Sequence, residues 1–369
     1  MEFIAALLLL YGAHCLVHLP NGSVLFARRG LRFARSEGPG WRFTNPIPSS
    51  SSLVGERLPW IEHEGVLYGR GVAPRSFTGV MPEPKRAFDP ESAREISANG
   101  CLIRIDGAPF ARAATEAGAE RVRDLLASAA GGGRDDLHEA LAALLADELS
   151  LSKLSGAREN VSLATGWLRW MLDIYGVALL IALPIAVAWI GTEPALWRGL
   201  PAIAALHLAC LVAFEVADRR LRPGAAGDRV QRLFEIALYP PLLLRSFHGL
   251  ESEVLGRFHP ATLAAALLDP EARKRFLRAE IVRAEAAAHQ PGASGFPKLE
   301  LRALERLADE IGESVASLVA APYRHDPRAE SYCTSCHAEY RRASGICVDC
   351  QLPLRRYAAV EIETQLERT

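Results

Sequence analysis

Two apolar runs separated by a short connector dominate the middle of the chain. They cover residues 170–190 and 200–217, and each is close to the ~20 residues that a helix needs to cross a bilayer. Trp170 and Trp189 lie 19 residues apart, which is about 28 Å of helix, and tryptophan favours the membrane interface. The pattern predicts a transmembrane helical hairpin over residues 166–218.

A third apolar run opens the chain. Residues 3–19 are almost entirely apolar, and Pro20, Asn21 and Gly22 end the run. It predicts a short N-terminal membrane helix. A cleaved signal peptide is the alternative, but no basic residue precedes the run and no small-residue cleavage site follows it.

Arginines beside the apolar runs indicate which ends face the cytoplasm. The flanking arginines are Arg28, Arg29, Arg32 and Arg35 after the first run, Arg158 and Arg169 before the hairpin, and Arg219, Arg220, Arg222, Arg229 and Arg232 after it. Because cytoplasmic flanks are rich in arginine and lysine, we expect an integral protein of the inner or plasma membrane. Its N-terminus would lie outside, and the bulk of the chain would be cytoplasmic.

The soluble parts show first the strand pattern and then the helix pattern. Short β-type runs at 24–28, 41–44, 66–69 and 101–105 are separated by glycine, proline and serine, and Asp106-Gly107 predicts a hairpin turn. Helices are predicted at 111–130 and 137–149. The second helix carries an apolar stripe, which consists of Leu137, Leu141, Leu145 and Leu149.

Beyond the hairpin, residues 233–244 form an apolar stretch interrupted by Pro240 and Pro241. It is too short to span a bilayer, and we interpret it as interfacial or re-entrant. Asp269 before Pro270 predicts a helix start. A leucine-rich stripe over 301–318 predicts a helix that ends before Pro322.

The overall charge is nearly balanced, with 42 Lys and Arg against 43 Asp and Glu. This balance argues against a chain whose whole surface binds nucleic acid. Three of the seven cysteines, Cys15, Cys101 and Cys210, are scattered singly, whereas the other four form two pairs near the C-terminus. Such spacing is typical of metal binding rather than of a disulfide framework, and metal-binding thiolates require a reducing compartment.

The paired cysteines are the clearest chemical signal. Cys333 and Cys336 form one CxxC pair, Cys347 and Cys350 form the other, and ten residues separate the pairs. Two such knuckles place four sulfurs around a tetrahedron, which suits structural zinc; iron in a rubredoxin-like site is the alternative. His337, as a fifth or substitute ligand, is less favoured than a surface histidine beside a complete site.

The text around these cysteines, from Tyr332 to Leu354, resembles the small bacterial zinc-ribbon modules that are appended to many proteins. The resemblance covers about 25 residues and implies a β-rich knuckle fold with a structural metal. Those modules often have glycine after each CxxC pair, where this chain has His337 and Gln351. Less regular knuckle turns are therefore expected.

Arginines and tyrosines surround the ribbon; they are Arg324, Arg328, Arg341, Arg342, Arg355 and Arg356 with Tyr323, Tyr332, Tyr340 and Tyr357. Such a mixture can bind a phosphate backbone and stack on bases. The favoured interpretation is contact with anionic membrane lipids or simple solubility. Nucleic acid is the less favoured partner.

Polar residues within the hairpin form a second candidate site. His207 and Glu215 share one helix face, and Asp173 lies near the cytoplasmic end of the first helix. Ionisable groups at membrane depth can form an ion or proton path, although Asp173 and Glu215 lie close to the interface. At the N-terminus, His14 and His18 are one turn apart with Cys15 between them, a spacing that could bind metal or haem. Interface packing is favoured because no third ligand is evident.

These patterns predict an α+β membrane protein that is mainly α-helical, with a transmembrane helical hairpin, a small N-terminal β-containing unit and a C-terminal zinc ribbon. The expected division is 1–20 N-terminal membrane helix, 21–165 cytoplasmic α+β domain, 166–218 hairpin, 219–330 interfacial segment and cytoplasmic helical region, 331–358 zinc ribbon, and 359–369 tail.

Three functional hypotheses follow. The first is a membrane-anchored scaffold, adaptor or assembly factor that docks a protein partner through its ribbon or hairpin. The second is a subunit of a transport or energy-transducing complex, for which self-association or a partner complex is expected. The third is a membrane-associated enzyme, although no catalytic motif identifies one and no catalytic residue is singled out.

Overall fold

A computed structural model describes residues 2–19, 23–27, 33–35, 40–44, 52–57, 60–63, 66–69, 87–90, 92–113, 115–130, 134–222, 226–289, 295–334, 336–349 and 352–357. Within these ranges the protein is mainly helical, with several small antiparallel sheets.

The N-terminal apolar run changes structure part-way along. Helix α1 is Glu2–His14, and strand β1, Leu16–Leu19, follows it and pairs antiparallel with β4, Gly40–Phe43. The prediction of one membrane helix over residues 3–19 is therefore wrong in its extent. A helix of 13 residues is about 20 Å long, which is shorter than the hydrocarbon layer. Apolarity alone did not distinguish the helical residues from those that pair in a sheet.

Three further small sheets confirm the predicted β runs. The remaining N-terminal strands are β2 Ser23–Ala27, β3 Phe33–Arg35, β5 Ser52–Glu56, β6 Trp60–His63, β7 Val66–Gly69, β8 Ala87–Phe88, β9 Ile96–Asn99, β10 Leu102–Ile105 and β11 Ala108–Arg112. They pair in the orders β3-β2-β5, β6-β7-β8 and β9-β10-β11. Asp106 and Gly107 both have positive φ, 49° and 74°, as the tight turn between β10 and β11 requires.

Helices α2, Glu116–Ala129, and α3, Arg134–Glu148, follow the last of these sheets. Thr115 caps α2 by accepting a hydrogen bond from the Gly118 N–H. The predicted leucine stripe of α3 is buried in one core with α2, α10 and α11. Its interpretation as a core stripe is confirmed.

The long apolar runs form two helices joined by a single residue. Helix α4, Leu151–Val177, continues through a π-helical turn, Ala178–Ala182, into α5, Leu183–Ile190. Gly191, with φ 88°, then reverses the chain into α6, Thr192–Leu221. The π turn lies just before Pro184, whose missing N–H interrupts the α-helical ladder. Both helices are long and apolar enough to cross a membrane.

The stretch over 233–244 divides between two helices. Helix α7, Ala226–Leu238, ends before Pro240 and Pro241, and α8, Leu242–Leu255, begins after them. Within α8, Leu243, Leu244, Phe247 and Leu250 are fully buried and pack in one cluster with residues of the hairpin. Leu243 and Leu244, at the end of this stretch, are therefore core residues.

The C-terminal third contains four helices followed by three short strands. The elements are α9 Pro260–Leu267, α10 Pro270–Ala288, α11 Gly295–Glu310, α12 Val315–Leu318, β12 Ser331–Cys333, β13 Glu339–Tyr340 and β14 Leu354–Arg356. Asp269 caps α10, as predicted, by accepting from the Ala272 N–H. The helix predicted over 301–318 is interrupted, because Gly312 with φ 76° separates α11 from α12.

Candidate metal centre

Three of the four paired cysteines come together in the C-terminal module, by which we mean residues 331–357. The Sγ atoms of Cys333, Cys336 and Cys347 all lie within 4.8 Å of one another. Cys333 and Cys347 are buried, whereas Cys336 is exposed. Cys350, the predicted fourth ligand, lies outside the described residues. Elsewhere in the described chain, no other three His, Cys, Asp or Glu side chains converge in this way.

The first pair is held by a tight turn that follows β12. The Cys333 carbonyl accepts from the His337 N–H at 2.9 Å, and the Cys333 N–H donates to the Ala338 carbonyl at 2.9 Å. His337 has φ 63°, the left-handed conformation that glycine usually adopts. His337 therefore occupies a backbone conformation that favours glycine. The regularity of the whole turn stays a prediction, because residue 335 lies outside the described residues.

Cys347, the described member of the second pair, lies beside a short antiparallel bridge. Ile346 pairs with Pro353, and the Cys347 N–H donates to the Leu352 carbonyl at 2.8 Å. The Tyr340 hydroxyl donates to the Cys347 Sγ at 3.2 Å, a contact that the cysteine spacing did not reveal.

The sulfur separations fit ligands of one ion rather than a disulfide. The Cys336 and Cys347 Sγ atoms are 3.7 Å apart, well beyond the ~2.05 Å of a sulfur–sulfur bond. Two thiolates that bind one ion tetrahedrally at about 2.3 Å are separated by roughly 3.8 Å. The cluster can therefore hold a metal ion.

The module is attached to the helical region by polar contacts. Arg355 binds both carboxylate oxygens of Glu285 on α10, at 3.0 and 3.1 Å. Arg278, also on α10, donates to the Leu318 carbonyl and lies 3.5 Å from the His337 Nδ1. The His337 ring therefore contacts α10, and burial lowers its pKa.

Several of the arginines and tyrosines around the cysteines are used within the fold. Tyr332 and Tyr357 are buried and pack against each other at a tilt of 43°, with ring centroids 4.8 Å apart. Arg324 lies over the Tyr357 ring, and Arg341 pairs with Asp326 at 2.8 Å. Buried rings cannot stack on bases, which weakens the reason for expecting a nucleic-acid partner. Tyr323 is exposed.

The polar hairpin residues are not brought into one cluster. The His207 ring packs against Tyr175, with centroids 5.4 Å apart, whereas Glu215 forms an ion pair with Arg219 one turn further along α6. His207 and Glu215 are eight residues apart, about 12 Å along a helix. Asp173 lies on the other helix of the hairpin, in α4.

The N-terminal histidines do not form a described metal site. The His14 ring contacts Tyr239, with centroids 5.2 Å apart, and Cys15 is buried beside Tyr11. The side chain of His18 lies outside the described residues. The favoured packing interpretation of His14 and Cys15 agrees with these contacts.

Comparison with known proteins gives no relative. The chain matches no protein-family model, no curated protein and no solved structure. Function must therefore be inferred from the residues and their geometry.

Proposed function

We propose that this protein is a membrane-anchored scaffold, adaptor or assembly factor whose C-terminal module holds a structural zinc ion and docks a protein partner. The observation that carries the proposal is the combination of a lipid-compatible hairpin with a thiol-built module in one chain.

The apolar surface of the hairpin supports anchoring in a membrane. Trp170, Trp189 and Trp197 are 68%, 86% and 77% exposed, which is unfavourable for such large apolar side chains in water. Other exposed apolar residues on the same helices are Leu163, Ile174, Val177, Ile181, Ile185, Leu200, Leu208, Val212 and Val216. Lipid would cover this surface, with the tryptophans at the interfaces.

Ion pairs near residues 169 and 222, where the hairpin meets the rest of the chain, support a membrane–water interface at this end of the hairpin. Arg169 pairs with Glu251, and Arg222 pairs with both Asp218 and Glu253. Helix α7 lies nearby and exposes Val230, Phe234 and Leu238 along one face, as a helix lying in the interface would. The interfacial interpretation thus applies to α7 rather than to the whole stretch over 233–244.

If both hairpin helices cross the membrane, the soluble parts would lie on one side of it. Since α1 is too short to span and is followed by a sheet, the expectation of an N-terminus outside no longer follows from the sequence. The N-terminus, the β-containing unit and the C-terminal module would then share the arginine-rich, cytoplasmic side. Thiols stay reduced in that compartment.

Zinc is the metal that the donor set favours. Thiolate ligands and a tetrahedral arrangement are typical of structural zinc, and Cys350 would complete a four-sulfur shell. Zinc would supply folding free energy to a module whose described strands are only two or three residues long.

The docking face that we propose lies on the second knuckle. Ile346 and Val348 are 57% and 72% exposed. Arg342 donates to the Ile346 carbonyl at 2.8 Å, and its guanidinium also lies over the Tyr340 ring. Two apolar side chains beside an arginine are complementary to a protein segment that carries an apolar residue next to a carboxylate.

Affinity purification from native membranes in mild detergent tests the proposal. We expect a partner to be recovered with the intact chain and lost with the Ile346→Asp, Val348→Asp double variant, which keeps all four cysteines. Ala127→Asp, at an exposed position of α2, is the control. A photo-crosslinking residue at position 348 should form an adduct with the same partner.

Measurement of the bound zinc distinguishes loss of the docking face from unfolding of the C-terminal module. The docking variant should retain one equivalent of zinc, whereas Cys333→Ser, Cys336→Ser should lose it and also lose the partner while remaining in the membrane. Recovery of the same partner by the docking variant would exclude this face. Resistance of the cysteine variant to zinc loss would exclude the metal site.

A further inference from the structure

A cavity of about 350 Å³ lies where α1, the β-containing unit and α8 meet. This volume is within the range of small-ligand sites. Its lining includes Tyr11, His14 and Cys15 from the N-terminal segment, and Arg245 and His248 from α8. It has no connection with the cysteine cluster of the C-terminal module.

One end of the cavity carries an uncompensated positive charge. Arg245 is partly buried and has no ion pair or hydrogen bond with any described residue, and burial lowers its pKa. The Arg245 charge influences the pKa of three neighbouring groups, which are His14, Cys15 and His248. Burial lowers the pKa of His14, and it lowers that of His248 to about 4. Both rings are therefore neutral near pH 7, and they leave the guanidinium charge in place.

The two carboxylates that line the cavity do not neutralise Arg245. Glu253 is paired with Arg222 and with Arg232, the latter at 3.6 Å. Glu116 is exposed at the start of α2. The charge of Glu253 is thus offset elsewhere, and that of Glu116 is screened by solvent.

His248 adds unused hydrogen-bonding capacity. Both of its ring nitrogens are buried, and neither has a hydrogen-bond partner among the described residues. A buried polar group without a partner is costly, and so is a buried cation without a counterion. A bound anion that accepts hydrogen bonds would remove both costs.

The cavity lies at the proposed level of the inner membrane interface. Phe247, next to His248, lies under the Arg169 guanidinium, whose carbon is 5.6 Å from the ring centre, and Arg169 precedes the interfacial Trp170. Leu10, Phe43 and Leu238 are exposed apolar residues. Leu10 and Phe43 each adjoin in sequence a residue that lines the cavity, and Leu238 adjoins Tyr239, which contacts the lining residue His14. A lipid could therefore place its phosphate in the cavity and its chains beside these residues.

We propose that this cavity is a binding site for a phosphate-type anion, with Arg245 as its ion-pair partner and His248 and His14 as hydrogen-bond donors. A phospholipid headgroup and a soluble phosphate share this chemistry. Only the lipid source depends on the membrane anchoring proposed above.

Thermal unfolding of the full chain in nonionic detergent tests the site. The probes are inorganic phosphate against chloride at equal ionic strength, and phosphatidic acid against phosphatidylcholine in mixed micelles. We expect a saturable rise in Tm with at least one phosphate probe, because a ligand that binds only the folded state stabilises it. A response to both probes indicates an open phosphate site, and a response to phosphatidic acid alone indicates a headgroup site.

Arg245→Met is the decisive variant. It should weaken the binding of the responding probe about tenfold or more, while the protein without the probe remains folded, because the substitution removes an unpaired, partly buried charge. Arg302→Gln, at an exposed position of α11, should respond like the original chain. An unchanged response of Arg245→Met, or no response of the original chain to either probe, would overturn the proposal.

If Arg245→Met proves unstable, His248→Phe provides the second variant, and it should weaken the same probe. Failure of the site would leave the anchoring proposal intact, since membrane extraction of the chain is measured separately.

Discussion

At the residue scale, backbone conformation distinguishes the histidine beside the cysteine cluster. His337 follows Cys336 with φ 63°, a conformation that costs L-residues about 1 kcal/mol relative to glycine. Its ring contacts Arg278 at 3.5 Å. The position therefore requires a left-handed backbone, and the imidazole is not needed for it.

His337→Gly should consequently keep the metal and stabilise the module slightly, by up to about 1 kcal/mol. His337→Val should weaken metal retention, because a β-branched residue is strained at positive φ. Competition with a chelator measures both effects. Loss of metal in the glycine variant would instead indicate that the imidazole is a ligand.

At the element scale, a buried carboxylate fixes the C-terminal end of α3. Glu148 is 1% exposed, and Arg121 of α2 lies 3.2 Å from its carboxylate. The backbone carbonyl of Glu148 accepts from the His259 N–H at 3.1 Å and from the Thr262 hydroxyl at 2.9 Å. Burial raises the pKa of Glu148 to about 7, and it outweighs the opposite influence of Arg121 and His259.

This raised pKa predicts a pH-dependent stability. The folded pKa lies above the unfolded value of 4.5, so the stabilising contribution of the protonated form is complete below pH 4.5. It is lost as the pH rises through about 7. Relative to Glu148→Gln, the original chain should therefore lose stability between these values and change little above them.

Urea or thermal unfolding of both chains across pH 4 to 8 measures this difference. Asp147 and Glu300, the other nearby acids, are present in both chains and so cancel in the comparison. A difference that is constant with pH would mean that Glu148 has an ordinary pKa.

At the scale of the whole molecule, a largely buried ion pair is among the contacts that join the hairpin to α8. Arg169 of α4 binds Glu251 of α8, which is fully buried. Removing one partner of a buried ion pair typically costs 3–5 kcal/mol, whereas replacing both partners by neutral side chains costs much less.

We therefore expect Arg169→Met to destabilise the protein by about 3 kcal/mol or more, and Glu251→Gln to restore most of this loss in the double variant. Unfolding in detergent, analysed as a double-mutant cycle, gives the coupling. Additive effects of the two substitutions would show that the pair does not couple the two regions.

The sequence by itself determined the features that depend on local pattern. Short β-type runs predicted strands β2, β4, β7 and β10, the leucine stripe predicted the buried face of α3, and the CxxC spacing predicted the cysteine cluster. The turn at Asp106-Gly107 and the cap at Asp269 were evident because they depend on neighbouring residues.

Only the tertiary structure decided the features that depend on contacts distant in sequence. Pairing with β4 makes Leu16–Leu19 a strand, although the run that precedes it is helical and equally apolar. Packing against the hairpin buries the first half of α8, and the cavity around Arg245 joins segments more than 200 residues apart. Hydrophobicity indicates that a residue will be buried away from water. It does not indicate whether lipid, a partner strand or a neighbouring helix will bury it.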